Sequence, residues 1–257
     1  MALDEYKRKR RFQDTPEPPP KLQKKSQHRF VIQKHRATRL HYDFRLEMEG
    51  VLKSWAVPKG PSLDPADKRL AMQVEDHPVS YFDFEGIIPE GNYGAGTVMV
   101  WDVGTWQPLK EEVKGKLVPA SDAEGSAMLQ KGDLKIRLDG QKIKGDFALV
   151  HIKSRRPGSK GTEWLLIKKK DDFVVPGYDA ENYDESALSG KSMRGIAGDE
   201  GAAEWESNRK ASRGPLKAQW LADAVAKLDK RNAAKRPTAK VSAASAEKAK
   251  VKKKVKR

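Results

Sequence analysis

The chain has no cysteine. That excludes disulfides and thiolate metal sites, and it fits a reducing cytosol. No apolar run approaches the roughly 20 residues that a bilayer span needs, so no membrane partner is expected. The opening MALDEYKRKRRF is basic but has no apolar stretch, and it does not read as a secretory signal. A phosphate-binding loop is missing too. IPEGNYGAG at 88–96 is Gly-rich, but it lacks the Lys-Ser/Thr of a P-loop and precedes a strand instead of a helix. It reads as a tight turn or bulge, with Glu90 and Tyr93 available to a pocket edge.

Positive charge is in excess, and it sits at the ends. The formal net charge is +15. Residues 207–257 carry 17 Lys/Arg against 3 Asp/Glu and residues 1–29 carry 9 against 4, whereas 30–206 carry 25 against 29. Basic tails beside an anionic polymer act as sequence-independent tethers, strongest at low salt. A merely solubilising tail would have the same composition.

These shifts divide the chain into four segments. Residues 1–29 are a basic, Pro-rich arm in which DTPEPPPKLQKK, 14–25, reads as an extended linker. Residues 30–180 are the folded core and 181–206 a C-terminal extension. Residues 207–257 are a basic tail with one helix predicted at 214–229, where Leu216, Trp220, Leu221, Val225 and Leu228 share a face. The rest of that tail is expected to be disordered or weakly helical.

Within the core, LHYDFRLE at 40–47 alternates cleanly. Leu40, Tyr42, Phe44 and Leu46 fall on one face, and His41, Asp43, Arg45 and Glu47 on the other. RLAMQVEDH at 69–77 reads the same way, with Leu70, Met72 and Val74 inward and Arg69, Gln73, Glu75 and His77 outward. TVMVW at 97–101 is apolar on both faces, as in a buried strand. DLKIRL and KIKGDFALVHIK flank Asp139-Gly140, a tight-turn dipeptide, and EWLLIKK at 163–169 is a further strand. KEEVKGKL at 110–117 is at most a short helix. The expectation is a mainly β core, an antiparallel barrel or sandwich with few short helices.

The densest chemistry lies in KHRATRLHYDFR, 34–45. Period-two geometry puts His41 and Asp43 on one face, their Cα atoms about 7 Å apart. His35 stands outside the alternation, within reach only if the chain bends. Two imidazoles and a carboxylate suit a divalent transition metal with open positions. Arg45 continues the face, and a guanidinium there can clamp a phosphate. An ordinary solvent-facing strand has the same pattern. If the 69–77 strand is a neighbour, Arg69, Glu75 and His77 complete a basic pocket, and His77, with a reference pKa near 6.5, suits proton donation to a leaving oxygen. His28 belongs to the arm, and His151 reads as a structural or surface residue.

Several long motifs then occur in a specific order. QKHRATRLHYDFRLEMEGVLKSWAVPKGPSLDP at 33–65, RLAMQVEDHPVSYFDFEGIIPEGNYGAGTVMVWDVGTW at 69–106 and EWLLIKKKDD at 163–172, with the lead-in EYKRKRRFQDTPEP, resemble the phosphoesterase domain of bacterial DNA ligase D over about residues 4–173. The resemblance implies a small antiparallel β-barrel enzyme that prefers manganese and trims a 3′-phosphate or a 3′-terminal ribonucleoside from DNA primer ends during end joining. It implies His35, His41 and Asp43 as metal ligands and His77, Arg45, Arg69 and Tyr81 as catalytic groups. Lys59 and Glu75 would join Arg45 and Arg69 in binding substrate. The implied partners are primer-template 3′ ends, with Ku and a separate DNA ligase or polymerase, in a bacterial or archaeal cytoplasm close to the nucleoid. No K-x-D-G lysine motif occurs, the nearest run being RLDG at 137–140, so a stand-alone phosphoesterase without ligase activity is expected. The competing readings are a non-catalytic DNA-end-binding repair module and a metal phosphatase acting on RNA or small phosphoesters.

Overall fold

The computed structural model describes residues 2–23, 26–152 and 161–198, all within the unit Met1–Asn208. The elements run α1 (Asp4–Lys9), β1 (Arg29–Arg36), β2 (Leu40–Met48), β3 (Val51–Val57), β4 (Lys68–Gln73), β5 (His77–Pro78), β6 (Gly86–Ile88), β7 (Gly96–Val113), β8 (Lys116–Pro119), α2 (Asp122–Lys131), β9 (Asp133–Gly140), β10 (Lys144–His151), β11 (Glu163–Lys168) and α3 (Met193–Ile196). The fold is mainly β. Eight antiparallel strands in the order β1-β2-β3-β4-β11-β10-β9-β7 close on themselves through the β1–β7 pair. β5, β6 and β8 are short additions paired to β3, β7 and β7. Among the described residues no helix is long and apolar enough to cross a membrane.

Alternation explains the closure. Tyr42, Phe44, Leu46 and Met48 of β2 meet Phe30 and Ile32 of β1, Trp55 of β3, Ile136 of β9 and Trp164 of β11 in one buried cluster that fills the lumen. A barrel of this strand number is narrow enough for side chains to fill. A second cluster lies outside it, where Val31, Leu52 and Val100 are covered by Tyr81 and Phe82 and by Leu3 and Tyr6 of the arm. The packed core therefore begins well before residue 30. Tyr6 is fully buried and donates to the Pro18 carbonyl at 2.7 Å. Packing also continues past residue 180, since Met193 of α3 is buried in the lumen cluster and Trp101 Nε1 donates to the Tyr183 carbonyl.

Several local expectations are corrected. The run 69–77 is not one strand. β4 ends at Gln73, and His77 lies on β5, opposite Leu52 of β3. KEEVKGKL is a β hairpin whose turn is made by Gly115 at φ 85. Asp139-Gly140 belongs to β9 and pairs onward, Asp139 with Lys144. The connection is 141–143, whose three amides donate to the Asp102 carboxylate. Gly140 is needed for close approach instead, because a Cβ there would sit 2.5 Å from Asp102 Oδ2 and 2.6 Å from the Phe30 ring. Helix α2 was unforeseen, although its signals are in the sequence: a Ser121–Glu124 capping box and Gly132 in the left-handed C-cap. The helix predicted at 214–229 lies outside the described residues.

Candidate active site

The site is built by register. In the β1–β2 hairpin His35 pairs with His41, Gln33 with Asp43 and Val31 with Arg45. Directly opposed residues share a face, so the bend at 37–39 that turns β1 back into β2 brings His35 into the outward row of β2. β3 extends the row through Arg45↔Ser54, and β5 adds His77 opposite Leu52.

His35, His41 and Asp43 form a donor set whose ligating atoms lie within 4.8 Å of one another. His35 Nε2 lies 2.9 Å from the Gly94 carbonyl and His41 Nδ1 2.9 Å from the Arg39 carbonyl. A carbonyl only accepts, so those nitrogens carry the protons. The other nitrogens, His35 Nδ1 and His41 Nε2, face the Asp43 oxygens at 3.6 and 3.7 Å. Two imidazole lone pairs turned toward a carboxylate have no proton to share, and the donor set fits a divalent cation. Burial alone would raise the Asp43 pKa, but the Arg45 charge beside it holds it well below the usual carboxylate range.

Arg45 is almost wholly buried, and each of its three nitrogens has a partner. Its Nε donates to Gln33 Oε1 at 2.8 Å, Nη1 to Ser54 Oγ at 2.9 Å and Nη2 to Asp43 Oδ2 at 3.0 Å. Nη1 also lies 2.9 Å from His77 Nδ1. On the other side of His77, Arg10 Nη2 donates to His77 Nε2 at 3.1 Å. His77 Nδ1 is 2.9 Å from the Glu75 carbonyl, which assigns the imidazole proton to Nδ1. Burial first, then the Arg45 and Arg10 charges, push the His77 pKa well below 6.5. The imidazole is therefore neutral at neutral pH. Tyr81 packs edge-on to His77 with ring centroids 5.0 Å apart, under the Arg45 guanidinium. Burial raises its phenol pKa well above the ordinary value, so it can only stay protonated.

Arg10 was missed, because KRKRRF reads as a solvated basic arm. It is held by Glu17 at 2.8 Å and Glu75 at 3.1 Å and stacks 3.9 Å over the Tyr6 ring. Gln33 and Ser54 were also missed. Gln33 carried a signal, lying two residues before His35 on the same face. Glu75 is in place but points at Arg10 and Lys9. One expected residue, Arg69, stands apart. Arg69 pairs with Leu166 of β11, and Ala71 on the same face of β4 lies in the lumen cluster. Arg69 therefore faces the lumen side, opposite to Arg45, and donates to Asp67 at 2.9 Å. Lys59 is exposed in the turn after β3. His151 stands against Trp164, with Nε2 at 2.8 Å from the Gly161 carbonyl.

Residues 33–151 match the family model described as the DNA ligase D 3′-phosphoesterase domain. The multifunctional non-homologous end joining protein LigD of Pseudomonas aeruginosa is 52% identical over 172 residues, 66% of this chain and 19% of that protein. Its counterpart in Mycolicibacterium smegmatis is 41% identical over 171 residues, 66% of this chain and 21% of that protein. The non-homologous end joining DNA repair protein LigD of Mycobacterium tuberculosis is 35% identical over 211 residues, 80% and 25%. The chain spans about a fifth to a quarter of the length of these curated relatives.

Proposed function

Residues 33–151 of this chain belong to the DNA ligase D 3′-phosphoesterase domain family, and on that premise we propose that the chain hydrolyses phosphate esters at DNA 3′ ends. It removes a 3′-phosphate or a 3′-terminal ribonucleoside so that the strand can be extended or sealed in end-joining repair. Its partners are primer-template 3′ ends, with Ku and a ligase or polymerase. The observation that supports this reading is one outward face on which the His35–His41–Asp43 donor set adjoins the Arg10–His77–Arg45 cluster.

A divalent ion held by His35, His41 and Asp43, manganese in this reading, would supply Lewis-acid charge to the phosphate oxygens. Arg45 and Arg10 hold phosphate oxygens by charge-assisted hydrogen bonds. The bound anion offsets the two guanidinium charges beside His77, so the imidazole gains affinity for a proton. The oxygen of a water bonds to phosphorus, and the bond that breaks runs from phosphorus to the 3′ oxygen for a 3′-phosphate and to the 5′ oxygen of the departing nucleoside for a terminal ribonucleoside. His77, protonated once the anion is bound, gives that proton to the leaving oxygen, and the protons of the attacking water stay on the phosphate product. Gln33 and Ser54 position Arg45, while Glu17 and Glu75 position Arg10.

The test is a 3′-phosphate primer-template incubated with the full chain and manganese, magnesium, zinc or a chelator. Inorganic phosphate should be released with manganese and not with chelator. Binding of the end without release under every metal would instead favour a non-catalytic end-binding module.

A further inference from the structure

The Gly-rich loop 89–96 is pinned against the site at several points. The Gly94 carbonyl accepts from His35 Nε2 at 2.9 Å. Asn92 Nδ2 donates to the Asp14 carbonyl of the arm at 3.2 Å. Asn92 N and Ala95 N close successive turns onto Pro89 and Asn92, with Gly91 and Gly94 at positive φ. At its end, Gly96 lies so close to Arg36 that a Cβ would come within 2.2 Å of that carbonyl. One large side chain of this pinned loop turns outward: Tyr93 is 49% exposed. Lys9 Nζ lies 4.7 Å from its ring centroid and 3.4 Å from its hydroxyl, and the Arg10 guanidinium is 5.7 Å from the same centroid. Tyr93 is thus the residue next to the one that orients His35, and it adjoins the cation that reaches His77.

A hydrophobic aromatic ring left half in water, on a rigid loop and flanked by cations, is the chemistry that receives a nucleobase. The cations meet the strand's phosphates and the ring offers a flat face to a base. Such stacking is tolerant of base identity because every base has a π-face. We infer that Tyr93 is a stacking platform for the base of the last nucleotide at a DNA 3′ end, which registers that end against the His77 cluster. The inference rests on the phosphoesterase reading of the same face and adds to it a base-contacting residue outside the reacting groups.

The test separates the two. Full-length wild type, Tyr93→Ala, Tyr93→Phe and Tyr93→Trp are titrated by fluorescence anisotropy with two primer-templates. Both end in a 3′-hydroxyl, one with an ordinary terminal base and one with an abasic terminal residue. Wild type should bind the ordinary end about tenfold more tightly than the abasic one. Tyr93→Ala should bind both ends alike, at the wild-type abasic level, while Tyr93→Phe and Tyr93→Trp keep the preference. Equal wild-type affinity for the two ends, or a preference that survives in Tyr93→Ala, overturns the platform. Phosphate release from a 3′-phosphate end is measured in parallel on wild type. Release without base preference removes the platform alone. Base preference without release leaves the platform standing and removes the phosphoesterase reading.

Discussion

The lumen of the barrel and the patch outside β1, β2 and β3 are both buried, but by different means. The lumen is filled by aromatic and aliphatic side chains such as Phe30, Trp55, Ile136 and Trp164, and Tyr42 Oη and Trp55 Nε1 there have no hydrogen-bond partner among the described residues. Outside, Arg45, Asp43, His77 and Glu75 are nearly as inaccessible, yet each is held in a polar network under a roof formed by the arm. Apolar burial is non-directional and stabilises in proportion to area. A buried polar network contributes little net stability but fixes the direction of every group in it. The lumen should thus carry the fold and the outer patch the chemistry, and substitutions can separate the two.

The largest effect is expected at the donor set. Asp43→Ala or His41→Ala should lower turnover of a 3′-phosphate end by roughly a hundredfold or more, since even outer-shell partners of a ligand cost about 10–100-fold. Far-UV circular dichroism should stay unchanged. Near-normal turnover of Asp43→Ala at limiting manganese would refute the assignment. Ile136→Ala makes the opposite cut, with an expected loss of about 2–5 kcal/mol in denaturant unfolding and turnover per folded molecule preserved. If it instead slows turnover without loss of stability, the division between lumen and patch fails.

Two arginines sharpen the comparison. Arg45→Lys keeps the charge but loses a fork that engages three partners, so kcat/KM should fall by about ten- to hundredfold. Arg69→Lys, on the lumen side of β4, should change kcat/KM by less than about threefold at saturating metal. Equal losses from the two would return Arg69 to the site. The smallest effect is in pH. The folded pKa of His77 lies below its ordinary 6.5, so the unfolded chain binds the proton more readily. The stability tied to neutral His77 is full above about pH 6.5 and is lost as pH falls from there toward the folded value. With chelator present, thermal midpoints of wild type should fall more steeply between about pH 7 and pH 5 than those of His77→Gln. Parallel curves would show that His77 is not held neutral.

How far the site was legible depended on strand contrast. In 40–47 every inward position is large and apolar and every outward one polar, so alternation assigns both faces. In 69–77 the same pattern misleads. Leu70 and Met72 look inward, but it is Ala71 that packs with Trp164 in the lumen, and the strand breaks before His77. Arg10 was out of reach because nothing local distinguishes it from the other basic residues of the arm.

By itself, the sequence determined that this is a β protein, that Tyr42, Phe44 and Leu46 face inward, and that His41, Asp43 and Arg45 share the outer face. These follow from a two-residue period, which is a property of the local backbone. Tertiary structure alone decided that His35 stands opposite His41, that β5 brings His77 to Arg45, that Arg69 turns to the other side and that Arg10 closes over the top. Each of these depends on which strands pair and in what register. That choice is made by filling one lumen with side chains from the whole barrel, and no local pattern encodes it.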